Sequence, residues 1–197
     1  MNRGEQQLAR LWSHFNLLTP PTAAPLLTRD DHAGWRQAAV LIPLILQPDG
    51  LQLLLTRRSS HLRHHPGQIS FPGGRRDPLD ISLQHTALRE THEELGIAPA
   101  MVQLLGQLPI HATHSQFLIT PYLGVLRQMP ALQPAAGEVA EAFTLPLAPL
   151  LQTAAYGRWL LKRQGQTQEV FGVQLQGRFI WGATAHMLWQ LAIHLSN

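Results

Sequence analysis

The chain has 197 residues, 45% hydrophobic and 14% charged, which is enough apolar material for a packed core and too much for disorder. It contains no cysteine, which excludes disulfides, thiolate metal sites and cysteine nucleophiles. The formal net charge of +3 comes almost wholly from arginine, Lys162 being the only lysine. The longest apolar run, Ala38 to Leu46, is too short to span a bilayer, and no signal core opens the chain, so a soluble, cytoplasmic protein with no membrane partner is expected.

Gln6 to Phe15 reads as a short amphipathic helix, and Pro20, Pro21 and Pro25 mark a connection after it. Ala38 to Leu46 and Leu51 to Thr56 are apolar runs around Gln47-Pro48-Asp49-Gly50, which has turn chemistry, so two antiparallel strands are predicted. Pro72, Gly73 and Gly74 are expected to break the chain. A helix should follow, capped by Asp80 or Ser82, running to about Leu95 and ended by Gly96. Its apolar side is predicted at Gln84, Leu88, Thr91 and Leu95, with the glutamates roughly opposite.

Strands are predicted at Val102 to Leu108 and Phe117 to Leu126, with a His-containing loop between them. A flexible Pro/Ala-rich segment, Met129 to Gly137, leads into a strand from Glu138 to Leu145 and a short helix near Leu147 to Leu151. Further strands are expected at Trp159 to Lys162, Glu169 to Leu175 and Arg178 to Trp181, and a closing helix at Ala183 to Leu195. With helices set between strands and no internal repeat, the fold class is α/β, an α/β/α sandwich with a mixed β-sheet between helices. A single domain over residues 1–197 is expected, with 1–35 as a helix and Pro-rich lead-in and 36–197 as the core.

Glu90, Glu93 and Glu94 fall within five residues of a chain that has only 12 acidic residues. At these spacings a helix carries all three on one side, where they repel one another by roughly a few tenths of a kcal/mol per pair. Hard divalent cations favour such a cluster, because Mg²⁺ and Mn²⁺ prefer carboxylate oxygens and keep positions open for substrate phosphates. Just before it, Arg57, Arg58, Arg63, Arg75 and Arg76 crowd together with His61, His64 and His65. Arginine forks suit phosphate oxygens, so a polyanionic small molecule is the expected partner; a solvated basic loop is the plainer reading.

Gly74, Asp80, Arg89, Glu90, Glu93, Glu94, Gly96 and Ile97 together resemble the Nudix box, here at 74–97. The box departs from the family pattern in three places: Asp80 stands for a glutamate, eight residues rather than seven separate it from Arg89, and Thr91 takes an apolar slot. The run LLTRRSSHLRHHPGQISFPGG, Leu54 to Gly74, resembles the signature preceding the box in the coenzyme A pyrophosphatase branch of the Nudix hydrolases.

The resemblance implies metal-dependent hydrolysis of the diphosphate of coenzyme A to 3′,5′-ADP and 4′-phosphopantetheine, with Mg²⁺ or Mn²⁺ as cofactor. It implies Glu90 and Glu94 as principal metal ligands, Glu93 as sharing that ion or a second one, and Arg89 as orienting a glutamate. Glu138 is the first downstream candidate for general base, with an exposed strand-edge acid as the equal alternative, and Glu141 is a weaker one. Arg58 and Arg63 fit phosphate contacts, with pairing to Asp77 or Asp80 as the structural alternative, while Gly67, Gly73 and Gly74 fit positive φ or close backbone approach. NADH or ADP-ribose as substrate is the nearest rival. A non-catalytic nucleotide- or RNA-binding module is the more distant one, since its usual mark is loss of the box glutamates. Nucleic acid is not an expected partner, and a homodimer is left open.

Overall fold

The computed structural model describes residues 1–17, 34–163 and 165–195. Helix α1 spans Arg3–Leu17, and the Pro-rich connection predicted after it lies outside the described residues. Strands β1 (Arg36–Gln47) and β2 (Gly50–Arg58) form the expected antiparallel hairpin, closed by the pair Gln47 and Gly50.

β1 is the centre of the larger sheet. Its even positions Val40, Ile42 and Leu44 enter one core, while Ala39, Leu41 and Ile45 pack on the opposite face. Burial on both faces explains why this strand reads as a continuous apolar run rather than an alternating one. It carries Pro43 without losing a ladder bond. Leu41 N–H donates to Pro72 O on the side away from β7, so the nitrogen of Pro43, two residues on, points the same way. There it meets the gap between the pairs Val40–Gly73 and Leu44–Leu53.

FPGG does more than break the chain. Ile69–Ser70 forms β3 against β2, and Gly73–Arg75 forms β4 against β1, a strand the sequence reading lacked. Helix α2 follows at Leu83–Leu95. Ser82, not Asp80, is its N-cap, accepting from His85 N–H, and Gly96 ends it in the left-handed region at φ 72°. Its buried face is Thr86, Ala87, Thr91, Glu94 and Leu95, whereas Gln84 is exposed. The predicted stripe is therefore rotated, and one glutamate lies inside it.

Next come β5 (Gln103–Gln107), β6 (His111–Ala112), inside the predicted loop, and β7 (Phe117–Leu126), which runs parallel to β1 from Arg36–Phe117 to Ile45–Leu126. β8 (Val139–Pro146) pairs with the outer side of β2 and is followed by α3 (Leu147–Leu150). The main sheet thus has the order β3-β2-β1-β7-β5, with β4, β6 and β8 attached to β1, β7 and β2. β9 (Gly157–Arg163), β10 (Gln166–Leu175) and β11 (Arg178–Trp181) make a second, antiparallel sheet, and α4 (Ala183–His194) closes the fold.

Helix α2 covers one face of the main sheet through Ala87 and Leu95, and α1, α4 and the small sheet cover the other. This is the layered α/β arrangement expected. No helix among the described residues is long and apolar enough to cross a membrane.

Candidate active site

The site is built where β4 crosses the C-terminal half of α2. Gly73 adopts φ 150°, and a Cβ there would lie 2.4 Å from Ala39 O, so only glycine lets the chain run this close to β1. Its N–H donates to Glu94 Oε2 at 3.3 Å. At Gly74 a Cβ would fall 2.5 Å from the Glu90 carboxyl carbon. The two glycines thus make room for two carboxylates, one per residue, between strand and helix.

The three glutamates have different surroundings. Glu94 is 5% exposed, and burial pushes its carboxyl up to about 8, with partial relief from the Gly73 N–H and the charge of Arg58. Glu90 is half-buried and also raised, chiefly by burial, while its hydrogen bond from Arg89 works the other way. Glu93 is exposed and takes a 2.9 Å hydrogen bond from the same Arg89 guanidinium that holds Glu90, whose carboxyl its charge also raises, so it stands beside Glu90 at the solvent margin. Among the described residues no three His, Cys, Asp or Glu side chains converge to cage an ion alone. A buried carboxylate with one long hydrogen bond is nonetheless a group that a cation would satisfy. Glu94, buried, and Glu90, partly exposed, supply the hard oxygens that suit Mg²⁺ or Mn²⁺, ions that keep water and substrate oxygens in the rest of their shells.

Arg89 organises the acids. It donates to Asp80 at 2.9 and 3.0 Å, to Glu90 at 2.9 Å and to Glu93 at 2.9 Å. The extra residue in the box does not part Asp80 from Arg89. Instead Asp80 is buried and also accepts from Thr86 Oγ1 at 2.8 Å and from Asp77 N–H at 2.9 Å. The Arg89 guanidinium holds the Asp80 carboxyl well below the usual carboxylate range. Asp80 is therefore not available to Arg58 or Arg63.

The segment between β2 and β3 carries the basic residues. Arg58 N–H donates to Gln68 O at 3.0 Å, and Gly67, at φ 69°, returns its N–H to Arg58 O at 3.2 Å. Strand alternation turns Arg58 toward α2, where its charge reaches Glu94, and its Nε is buried without a hydrogen-bond partner among the described residues. Arg63 is exposed on the loop, as are His61, His64 and His65.

Glu138 is exposed, and its charge raises both Glu90 and Glu94, which places it on the same side as the acids. The segment before it is not a free loop. Gln133 N–H bonds Leu95 O at 2.8 Å and Ala135 N–H bonds Glu94 O at 2.9 Å, and Ser59 N–H bonds Glu138 O at 2.8 Å. Glu141 stands elsewhere. A bulge opposite Arg57 and Arg58 reverses the alternation of β8, so Val139 packs beneath α2 while Glu141 faces the small sheet. There Arg178 holds Glu141 at 2.6 and 2.7 Å and Arg57 lies 3.2 Å away, so Glu141 does not join the acids. Sequence reasoning missed this network and the Gly73 bond; the consecutive arginines on an alternating strand were the only sign of the former.

The NUDIX domain model matches residues 35–163. A Nudix hydrolase, NudL, from Pectobacterium atrosepticum is 40% identical over 185 residues, covering 94% of this chain and 93% of the relative. Two solved structures share the fold. A MutT/nudix family protein from Enterococcus faecalis has a TM-score of 0.53 and 16% identity over 94% of this chain and 69% of its own. An Ap4A hydrolase from C. elegans has a TM-score of 0.50 and 20% identity over 59% of this chain and 84% of its own. The chain belongs to the Nudix family. Pyrophosphohydrolysis of a nucleoside diphosphate derivative, with a divalent metal ion, is the activity this membership carries.

Proposed function

We propose that the substrate is coenzyme A or a derivative of it, cut at the diphosphate to 3′,5′-ADP and 4′-phosphopantetheine, and that the cation is Mg²⁺ or Mn²⁺. The observation that carries the reading is the fit of Glu90 and Glu94 against Gly74 and Gly73, with the charge of Arg58, the first residue of the basic segment, reaching Glu94. Glu90 and Glu94 hold the cation, and Glu93, at the exposed margin, adds its charge to that ion or to a second one. When bound, such an ion neutralises the diphosphate, acidifies water and stabilises the leaving phosphate.

The chain's own groups supply the rest. Arg89 fixes the Glu90 carboxylate by a charge-assisted hydrogen bond and is itself locked by Asp80. Glu138 takes the proton from the attacking water, a role supported by the main-chain bonds that tie its segment to Ser59 and the end of α2 and by its charge acting on Glu90 and Glu94. Arg58 and Arg63 bind phosphate oxygens, with Arg63 assigned to the 3′-phosphate, and the bare backbone at Gly67, Gly73 and Gly74 admits the diphosphate. Glu141 has no part in proton transfer, being held by Arg178 and Arg57.

The test is product analysis after incubation with Mg²⁺ and, in parallel, coenzyme A, dephospho-coenzyme A, NADH and ADP-ribose. Expected is equimolar 3′,5′-ADP and 4′-phosphopantetheine, with coenzyme A preferred. Faster cleavage of NADH or ADP-ribose would move the assignment to those substrates.

A further inference from the structure

Two adjacent residues at the end of the basic segment are fastened to a corner more than a hundred positions away in the chain. Gln68 Nε2 donates to Trp181 O at 3.3 Å, and Thr184 Oγ1, buried at the start of α4, donates to Ile69 O at 3.2 Å. Between these points Gly182 turns at φ 67°, and a Cβ there would sit 3.3 Å from Gln68 Nε2. The turn thus brings the corner flat against the segment. Trp181, Gly182 and Thr184 all lie beyond residues 35–163, the part matched by the family model.

The main chain at Gln68 is itself paired. Its carbonyl accepts from Arg58 N–H, and Gly67 N–H returns to Arg58 O. The segment 59–67 is therefore a closed loop with its neck at Arg58 and Gln68, and the Trp181–Thr184 corner grips that neck from outside. Gln68 Nε2 and Thr184 Oγ1 are each engaged on a main-chain oxygen at the neck or the corner rather than on an acid of the site. Their effect must pass through the loop.

We propose that Gln68 and Thr184 form a two-point latch that positions Arg58 and the 59–67 loop for substrate, making the β11–α4 corner a specificity element of this enzyme. They are positioning residues, and the inference rests on the reading of Arg58 and Arg63 as substrate contacts. Losing the latch leaves the carboxylates in place, because Leu41 N–H independently holds Pro72 O just before Gly73. Binding of substrate should weaken and chemistry should not.

The test pairs Gln68→Met with Thr184→Val, both near-isosteric and without the donor, and uses Thr184→Ser as the rescuing variant. Hydrogen–deuterium exchange on the full chain should rise in residues 58–69 and stay unchanged in α2, a result that needs no substrate. With coenzyme A and Mn²⁺, the double variant should raise KM about three- to tenfold with kcat within about twofold, as loss of two modest hydrogen bonds implies. Thr184→Ser should restore most of the Thr184→Val loss. Unchanged exchange in 58–69 overturns the latch, as does a fall in kcat equal to the change in kcat/KM. Wild-type protein that leaves coenzyme A intact, with exchange behaving as expected, would instead count against the substrate and leave the latch standing.

Discussion

Glu90 occupies the space that a side chain on Gly74 would need: a Cβ there would lie 2.5 to 2.7 Å from all three carboxyl atoms. The clash is with the far end of a movable side chain, so Gly74→Ala should fold. It should also push the carboxylate out of position, and misplacing a ligand group typically costs 10–100-fold in metal affinity or activity, roughly. Gly73→Ala differs, because its Cβ would strike Ala39 O in a strained conformation. Thermal midpoints and kcat/KM measured together should show Gly74→Ala stable and slow, and Gly73→Ala unstable.

Glu94→Gln should separate stability from activity. In the metal-free protein the Glu94 carboxyl is pushed up to about 8 by burial, against an unfolded value near 4.5. Between these values the unfolded chain releases a proton that the folded one keeps, so the glutamate lowers stability as pH rises from about 4.5 to 8. Urea titrations without metal should show Glu94→Gln relatively more stable at pH 8 than at pH 5, by on the order of a few kcal/mol. Turnover should fall by orders of magnitude. A variant no more stable than wild type at pH 8 would mean that the carboxylate finds relief in the fold.

His111 gives the opposite slope. It stacks on His186 with ring centroids 5.6 Å apart, and burial, followed by the charges of His186 and His114, brings its pKa down to about 4. Below about pH 6.5 the unfolded chain takes up a proton that the folded one refuses, so this residue lowers stability as pH falls toward 4. Between pH 7.5 and 5, His111→Gln should lose less stability than wild type, by on the order of 2 kcal/mol. Equal losses would contradict the assignment.

Much of this fold is legible in local signals. The β1–β2 turn, the Ser82 cap and the Gly96 stop each act within a few residues, and all three are in place. The facing of α2 was not legible, since the helical spacing of its acids suits an exposed face. What buries Glu94 is β4, and β4 exists only because Gly73 and Gly74 can lie against β1. The bulge in β8 was hidden for a similar reason: nothing in the run from Val139 to Leu145 announces a reversed alternation. Tertiary contact, not propensity, decided both.

Arg63→Ala should reveal which phosphate the exposed loop meets. Loss of one charge-assisted contact is worth roughly 10–100-fold in binding. Under the 3′-phosphate assignment the KM for coenzyme A should rise by that factor while the KM for dephospho-coenzyme A changes little. Equal losses on both would place Arg63 on the shared diphosphate.

The most direct measurement is a Mn²⁺ titration followed by electron paramagnetic resonance at pH 8, on wild type and Glu94→Gln side by side. If Glu90 and Glu94 hold the ion, wild type should quench the signal of free Mn²⁺ as protein is added, and the variant should leave it nearly intact at the same concentrations. Equal quenching by both proteins would contradict it and place the cation elsewhere.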